Sequence, residues 1–516
     1  MKLNYKRTIL VGFAFFLICH FWQAYDTMIP KILTDKFGMS QVWSGVIMAL
    51  DNILALFMLP FFGALSDKSK SRRGKRTPFI VIGTLVACCA VLLLGFADSM
   101  QAKVVEKVDP FKNKDAAFET LWEADPEAKY GDEGTVGKLS DAISEEQFKS
   151  IELLNDKGKT TEEYKEYVQP AMQEYAAMTV RESPGTLILF IAILLILLFA
   201  MGVFRSPAVA LMPDVTPKPL RSKGNAIINL MGAAGGILVL VLGIIMGTGE
   251  SKNVLMNYQL FFMIVTAVMV GSLLVFVLTV KEPFWAREAE EDYKKYYPEE
   301  ANAEPMEETE TRALSKGEKI SLVLILASVA LWFMGYNAVT SKFSVYVEKV
   351  LGADFNSTLI FAQAAAIISY IPVGILSSRI GRKRAILIGV ALLTASFTAA
   401  AFITADTPAA LMTVCFVVAG MGWATINVNS FPMVVELATG SNTGKYTGYY
   451  YTASMAAQIV TPIFSGVFLE HVDWRTLFPY AAIFAGLSFV TMLFVKHGDS
   501  KPIRKSALEA LGEGDD

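Results

Sequence analysis

Three charged residues lie inside long apolar stretches of this sequence. Asp26 and Asp51 fall in the first two stretches, and Arg205 falls in the fourth. Charges within apolar spans are costly to bury and are usually functional. At a rise of about 1.5 Å per residue, the two carboxylates lie at similar depths on neighbouring helices, and Arg205 lies a turn or two lower. Two carboxylates this close in a low dielectric can share a proton near neutral pH, so the sequence predicts a proton-coupling site.

The depths also predict which of these charges meet. We expect the long side chain of Arg205 to reach Asp51, whereas Asp26 is too far away for a pair. An alternative stays open for Asp26, because the first stretch ends at Pro30 and its carboxylate could be exposed in an outer vestibule. Lys31 and Lys342 are expected to extend to the outer surface of the membrane.

About twelve apolar stretches set the fold class. The chain has 516 residues, 53% of them hydrophobic, which is too apolar for an ordinary soluble protein. Stretches of about 20 apolar residues cross a bilayer as helices, so we predict an all-α membrane protein. The stretches lie near residues 8–30, 42–65, 78–97, 185–213, 224–247, 257–280, 318–341, 355–377, 385–404, 408–435, 447–469 and 475–496.

Basic residues between the stretches predict the orientation. They cluster at 68–76, 218–223, 379–384 and 501–505, all on one side of the membrane, and loops rich in Lys and Arg remain cytoplasmic. An even number of spans places both termini on that side. We therefore expect a protein of the cell membrane, the inner or plasma membrane, with both termini in the cytoplasm.

Two polar segments interrupt the spans. Residues 98–184 form an acidic extracytoplasmic insertion, for which helical spacing near 144–154 favours a small helical cap over a disordered loop. Residues 281–317 form a cytoplasmic linker that we expect to be mobile or partly helical. The predicted units are the N-terminal six-helix half (1–97 and 185–280), the insertion (98–184), the linker (281–317), the C-terminal six-helix half (318–496) and a cytoplasmic tail (497–516).

Internal repeats relate the two halves. The loop Gly63-Ala-Leu-Ser-Asp67, with the basic run that ends at Gly74-Lys-Arg76, has a shortened copy in Gly374-Ile-Leu-Ser-Ser378-Arg379-Ile-Gly381-Arg382-Lys-Arg384. Trp22, Tyr25 and Asp26 are likewise echoed by Trp332, Tyr336 and Asn337. Repeats of this kind predict two halves of parallel topology.

The basic loop resembles the signature loop of the major facilitator superfamily. Its longer form, from Ser66-Asp67 to Arg76-Thr-Pro78, is similar to that of sucrose-type transporters and of the glycoside–pentoside–hexuronide cation symporters. The resemblance implies a twelve-helix fold that works by alternating access. It also implies a cytoplasmic gate in which acids and arginines pair at neighbouring helix ends, although Ser378 replaces the usual acid in the second copy. The implied gate residues are Asp67, Arg76, Asp214, Arg382, Arg384 and Glu436.

The same resemblance implies a glycoside substrate, held in a cavity between the halves. Aromatic rings stack on the C–H faces of a sugar, and amides bond to its hydroxyls. Residues of these types within the spans are Trp22, Gln23, Tyr25, Trp332, Tyr336, Asn337, Gln363, Trp423, Asn427, Tyr450 and Gln458. Asn225 and Asn229, one turn apart, are further candidates near the inner mouth.

These features predict a proton symporter that imports a glycoside, most simply a disaccharide such as sucrose or maltose. A sodium-coupled pentoside or hexuronide carrier, a small-molecule exporter and a transporter-like sugar sensor remain alternatives. The sequence has no phosphate-binding loop and no metal-ligand spacing among its 3 histidines, so we expect no enzyme activity, no cofactor and no metal site. The expected partners are the sugar, protons and the lipid bilayer, with no nucleic acid, and the protein is expected to be a monomer.

Overall fold

Long apolar helices form most of the molecule. The computed structural model describes residues 3–131, 135–156, 158–217, 220–296, 314–435, 437 and 443–498. The N-terminal half contains α1 (Tyr5–Lys31), α2 (Gln41–Asp67), α3 (Thr77–Val105), α8 (Gly185–Val215), α9 (Arg221–Met246) and α10 (Gln259–Thr279). The C-terminal half contains α12 (Lys316–Tyr346), α13 (Asn356–Ile380), α14 (Arg382–Ala400), α15 (Ala409–Val435), α16 (Thr443–His471) and α17 (Leu477–Leu493).

These helices confirm the predicted fold class. Eleven helices of the described residues are long and apolar enough to cross a membrane, and a further long helix, α13, lies between the seventh and eighth of them. Large apolar side chains on their outer faces are exposed, as a lipid-facing surface requires; Phe57, Ile245 and Leu278 are examples. The chain is therefore a membrane protein built from two six-helix halves.

Local sequence signals determine where several helices begin. The side chain of Asn4 accepts a hydrogen bond from the backbone N–H of Arg7, which caps α1. Ser40 caps α2 in the same way, through Trp43. Ser315 and Glu318 form a reciprocal capping box at the start of α12.

The polar segment between α3 and α8 is folded. It contains helices α4 (Lys114–Ala124), α5 (Leu139–Ala142), α6 (Glu145–Ser150) and α7 (Gln169–Glu182), and an antiparallel hairpin of β1 (Glu127–Tyr130) and β2 (Thr135–Lys138). Its apolar core includes Phe118, Phe148 and Tyr164. The segment is thus a small domain with a hairpin that helical spacing alone did not predict. We call residues 98–184 the insertion, and the face that carries it the insertion side.

The opposite face carries the basic loop 68–76, and we call it the loop side. There the linker begins with helix α11 (Glu282–Tyr296), which packs against α8. Its Trp285 is buried, and Glu288 accepts a hydrogen bond from Arg7 at 2.8 Å. The first part of the linker is therefore helical and attached to the N-terminal half, while residues 297–313 lie outside the described part of the chain.

The two halves meet closely on the insertion side. Helix α2 packs against α16, α9 against α13 and α1 against α12. A Cβ atom placed on Gly45 would lie 2.1 Å from the carbonyl oxygen of Pro462, so only glycine permits the approach of α2 to α16. The resulting contact closes the space between the halves at this end.

Two lysines cross between the halves here, and the prediction that they extend to the membrane surface is wrong. Lys31 is buried and pairs with Glu348, and its ammonium also donates to the carbonyl oxygen of Thr248 at 2.7 Å. Lys342 is buried and donates to the carbonyl oxygen of Gln41 at 2.9 Å. Tight packing of the halves encloses both side chains, so they bond across the interface instead of reaching water.

Candidate functional site

A cavity of about 430 Å³ lies between the two halves. Helices α1, α8 and α9 form one wall, and α12, α13 and α15 form the other. Every residue from Thr27 to Phe37 is buried, so the chain closes the cavity toward the insertion side directly beyond Asp26. A cavity of this size, closed toward the insertion side and shared by both halves, is the best candidate for a ligand site.

Two of the predicted coupling residues, Asp26 and Arg205, line this cavity. Asp26 is solvent-accessible and lies close enough to Asp51 and Arg205 to interact electrostatically with both. The side chain of Asp51 is half-buried and accepts a hydrogen bond from Asn52 Nδ2 at 2.7 Å. The three charges therefore converge at the closed end of the cavity, with Asp26 facing the cavity and not an outer vestibule.

Arg205 is placed differently from the prediction. Among the ion pairs of the described residues, Arg205 forms none within 4 Å with Asp51 or Asp26. Its guanidinium instead lies over the ring of Trp22, 5.5 Å from the ring centre. The aromatic face holds the cation in the cavity wall, within the field of both carboxylates.

A pair of glutamines bridges the halves at mid-depth. The Nε2 of Gln363 on α13 donates to Oε1 of Gln23 on α1 at 2.5 Å. Gly236 on α9 faces this pair, and a Cβ atom there would lie 3.3 Å from Gln363 Oε1. The glycine leaves room for two amides that can exchange their mutual hydrogen bond for bonds to a polar ligand.

Aromatic rings form the opposite wall. Tyr336 and Trp423 stack in parallel, with ring centres 3.6 Å apart and planes inclined by 4°. Phe333 contacts the edge of Trp423. Tyr336 and Trp423 line the cavity together with Trp22 and Arg205, so the cavity combines aromatic rings with amides and charges.

Several predicted ligand residues do not line the cavity. Tyr25 and Trp332 are buried within their own halves, and the hydroxyl of the buried Tyr450 lies 2.9 Å from Ser430 Oγ. Asn337, Asn427 and Gln458 are half-buried elsewhere. These side chains were predicted from residue type alone, which does not tell which face of each helix lines the cavity.

Three further polar or reactive side chains line the cavity. Asn229 lines the central cavity, deeper than the inner mouth at which it was expected, and both of its amide atoms lack a hydrogen-bond partner. Tyr370 and Cys19 also line the cavity and were not predicted as ligand residues. The spacing of Gln363, Ile367 and Tyr370 places all three on one helix face, which is the signal that could have identified Tyr370.

A charge network lies on the loop side of the N-terminal half. Arg76 Nε donates to Asp214 at 2.7 Å, and its Nη2 donates to Asp67. Burial on its own lowers the pKa of the Arg76 guanidinium, but the hydrogen bonds and charges of Asp214 and Asp67 outweigh burial and raise that pKa. The three residues expected to act together in a gate therefore do meet, and they bond within one half.

Glu282 belongs to the same network, although the sequence reading treated it only as the start of the linker. Its buried carboxylate accepts from the backbone N–H groups of Arg76 and Thr77, at 2.9 and 2.8 Å. It therefore caps the start of α3. Gly74 has a φ of 117°, and a Cβ atom there would lie 2.2 Å from Glu282, so the loop needs glycine at this position.

The corresponding residues of the second half lie at the start of α14, on the loop side. Arg384 is exposed and Arg382 is half-buried, while Lys383 between them donates to the carbonyl oxygens of Leu493 and Val495. Glu436 lies outside the described residues, so its predicted contact with Arg382 or Arg384 stays a prediction.

Parts of the sequence match known families and known proteins. The family model "Major Facilitator Superfamily" matches residues 175–369 and 358–512, and the model "MFS/sugar transport protein" matches residues 11–106. The chain is 38% identical to the sucrose transport protein SUC3 of Arabidopsis thaliana over 68 residues and 34% identical to SUC4 of that plant over 63 residues. These matches span 13% and 12% of this chain, and 11% and 12% of the two relatives.

Solved structures match over almost the whole chain. The inward-open xylose transporter XylE of E. coli is 14% identical, with a TM-score of 0.58, 98% of this chain covered and 99% of that one. A D-xylose–proton symporter is 14% identical, with a TM-score of 0.59 and coverage of 96% and 99%. The nucleoside transporter NupG is 14% identical, with a TM-score of 0.56 and coverage of 96% and 100%. At these identities the likeness establishes the fold alone.

Proposed function

The chain belongs to the major facilitator superfamily, and we propose that it is a proton symporter that imports a glycoside by alternating access. The proposed substrate is a disaccharide such as sucrose or maltose. The family supports transport, and the short matches to plant sucrose transport proteins support a sugar as cargo. The observation that carries the proposal is the convergence of Asp26, Asp51 and Arg205 at the closed end of a cavity lined by aromatic rings and amides.

The cavity residues divide into two roles in this proposal. Trp22 and the Tyr336–Trp423 pair stack on the C–H faces of the sugar. Gln23, Gln363 and Asn229 bond to its hydroxyls, because an amide offers both donors and acceptors. The sugar replaces the Gln23–Gln363 hydrogen bond and so connects the two halves.

The carboxylates carry the proton. Asp26 binds a proton from outside when the insertion side opens, and Asp51 stabilises the shared proton from the neighbouring helix. The Arg205 guanidinium is attracted to the two carboxylates when both are ionised, and less strongly when one of them is protonated. This change in attraction links the charge of the site to the position of an arginine in the wall of the sugar cavity.

The orientation follows from the basic loops. The loop side faces the cytoplasm and the insertion side faces outward, because Lys and Arg remain on the cytoplasmic side of spans. The Asp67–Arg76–Asp214 network then lies at the cytoplasmic mouth. It acts as one part of an inner gate by holding the ends of α2, α3 and α8 as a unit.

Sugar-induced alkalinisation tests the proposal. The purified protein is placed in liposomes without a membrane potential, sucrose, maltose or a monosaccharide is added, and the external pH is followed. The proposal predicts a rise in external pH with one disaccharide, unaffected by replacement of sodium with potassium.

The other outcomes identify the alternatives. Uptake that requires sodium and moves no protons would support a sodium-coupled pentoside or hexuronide carrier. Sugar exchange without any ion movement would indicate a facilitator. Binding of sugar without exchange would support the sensor, and absence of both would favour a transporter of other small molecules.

A further inference from the structure

The insertion contacts both halves of the transporter, and the two interfaces differ in kind. Against the N-terminal half it forms a continuous apolar core, in which Val254 and Leu255, before α10, pack with Phe118 and Met172 of the insertion. Burial of apolar surface makes such an interface hard to separate in water. The insertion is therefore a rigid part of the N-terminal half.

Backbone packing strengthens this attachment. Gly38, in the connection between α1 and α2, has a φ of 60° and lies directly against α7. A Cβ atom at this position would lie 2.3 Å from the backbone nitrogen of Ala177 and 2.5 Å from the carbonyl oxygen of Gln173. Contact this close leaves no room for α7 to slide over the N-terminal half.

Against the C-terminal half the insertion uses single lysine contacts. Lys165 donates to the carbonyl oxygen of Val350 at 3.0 Å, Lys159 to that of Ala405 at 2.7 Å, and Lys129 to that of Glu470 at 3.0 Å. Val350 lies between α12 and α13, and Ala405 lies between α14 and α15. Glu470 lies in the last turn of α16, next to the connection with α17. Two insertion-side connections of the C-terminal half and the end of α16 thus receive one lysine each.

A fourth contact runs in the opposite direction. Lys349 of the C-terminal half donates to Oε1 of Gln173 on α7 at 2.5 Å. All four bonds join a long, flexible ammonium side chain to a neutral oxygen. Bonds of this type can break and re-form when the interface opens, because water replaces each partner when they part.

From this asymmetry we infer that the insertion is a latch that holds the insertion side of the transporter closed. It moves with the N-terminal half, and its lysines bind the two connections and the end of α16 in the C-terminal half only while that side is shut. Opening toward the insertion side breaks these contacts together, so they bias the equilibrium toward the state that is open on the loop side. The inference goes beyond the proposed function, since it depends on neither the sugar nor the proton.

The native thiol of Cys19 reports the direction in which the cavity opens, because Cys19 lines the central cavity. In a background with Cys88, Cys89 and Cys415 replaced by Ala, an impermeant maleimide is applied to vesicles from one side at a time. No sugar is present and no pH gradient is imposed. The ratio of the two labelling rates measures which side of the cavity is open.

The test variant carries Lys129→Ala, Lys159→Ala and Lys165→Ala. The latch predicts that labelling from the loop side slows and labelling from the insertion side accelerates, with a change in the ratio of at least about tenfold when three hydrogen bonds are lost. Each single substitution is expected to shift the ratio in the same direction by a smaller factor. The single variants also give a result if the triple variant folds poorly.

Three other lysines of the insertion provide a matched control. Lys112, Lys138 and Lys149 pair with Glu106, Asp125 and Glu145, all within the insertion. Their joint replacement by Ala removes the same positive charge without touching the C-terminal half, and it should leave the labelling ratio unchanged. An unchanged ratio in the test variant, or an equal shift in both triple variants, would overturn the latch.

Discussion

Lys31 on α1 and Glu348 in the turn after α12 form an ion pair whose side chains are 0% and 1% exposed. Because α1 and α12 belong to opposite halves, this buried pair must separate whenever the insertion side opens. Removal of one partner from a buried pair leaves an uncompensated charge and commonly costs about 3–5 kcal/mol. Loss of either partner is therefore expected to destabilise the state in which the insertion side is closed.

Glu348→Gln should lower the stability of the protein, because Lys31 then remains buried without its carboxylate partner. We expect a loss of about 3–5 kcal/mol, seen as a lower midpoint of thermal unfolding in detergent. Exchange of the two residues, Lys31→Glu with Glu348→Lys, should restore part of the loss. A midpoint that is the same in the single variant and the wild type would show that the pair does not stabilise this state.

Arg76→Lys should impair transport although it keeps the positive charge. A lysine cannot bond to Asp67, Asp214 and the backbone of α2 at the same time, because it lacks the planar fork of the guanidinium. We expect the maximal uptake rate to fall at least about tenfold, given the strength of charge-assisted hydrogen bonds. The exposed neighbour provides the control, since Lys75→Ala should transport normally. Equal uptake rates in the two variants would show that Arg76 has no role in the gate.

Trp423→Ala should weaken sugar binding more than it weakens folding. The ring lies on the cavity and stacks on Tyr336, and an aromatic contact contributes about 0.5–1.5 kcal/mol, which corresponds to a rise in KM of up to about tenfold. Trp332→Ala is the comparison, because that ring is fully buried and its loss should lower stability instead. The proposed site would be wrong if KM were unchanged in Trp423→Ala.

Features of this fold that depend on local sequence could be predicted, whereas features that depend on packing between helices could not. Apolar length and capping residues encode the helices, so the spans and two-half fold were predictable. The Asp67–Arg76–Asp214 association followed from a family resemblance. The burial of Lys31 and Lys342 did not follow, because it depends on how tightly the halves pack. The β-hairpin of the insertion and the rotation of Tyr25 and Trp332 away from the cavity depend on tertiary contacts in the same way.

Gly236→Ala should disturb the glutamine bridge from across the cavity. The added methyl group would lie 3.3 Å from Gln363 Oε1 and 3.6 Å from Gln23 Oε1, so the amides must shift by a few tenths of an ångström. We expect reduced sugar affinity, measured by quenching of tryptophan fluorescence. Gly271→Ala on α10 meets nothing within 4 Å and should bind sugar like the wild type. Matching affinities in the two variants would contradict a ligand role for the bridge.

If Asp26 and Asp51 couple sugar movement to protons, neutralising either carboxylate should separate the exchange of sugar from its accumulation. Asp26→Asn and Asp51→Asn are each assayed in liposomes for sugar counterflow and for uptake driven by an inward proton gradient. We expect that counterflow persists, because the cavity is intact, while gradient-driven accumulation and alkalinisation are lost. Wild-type accumulation in both variants would show that the two carboxylates have a purely structural role.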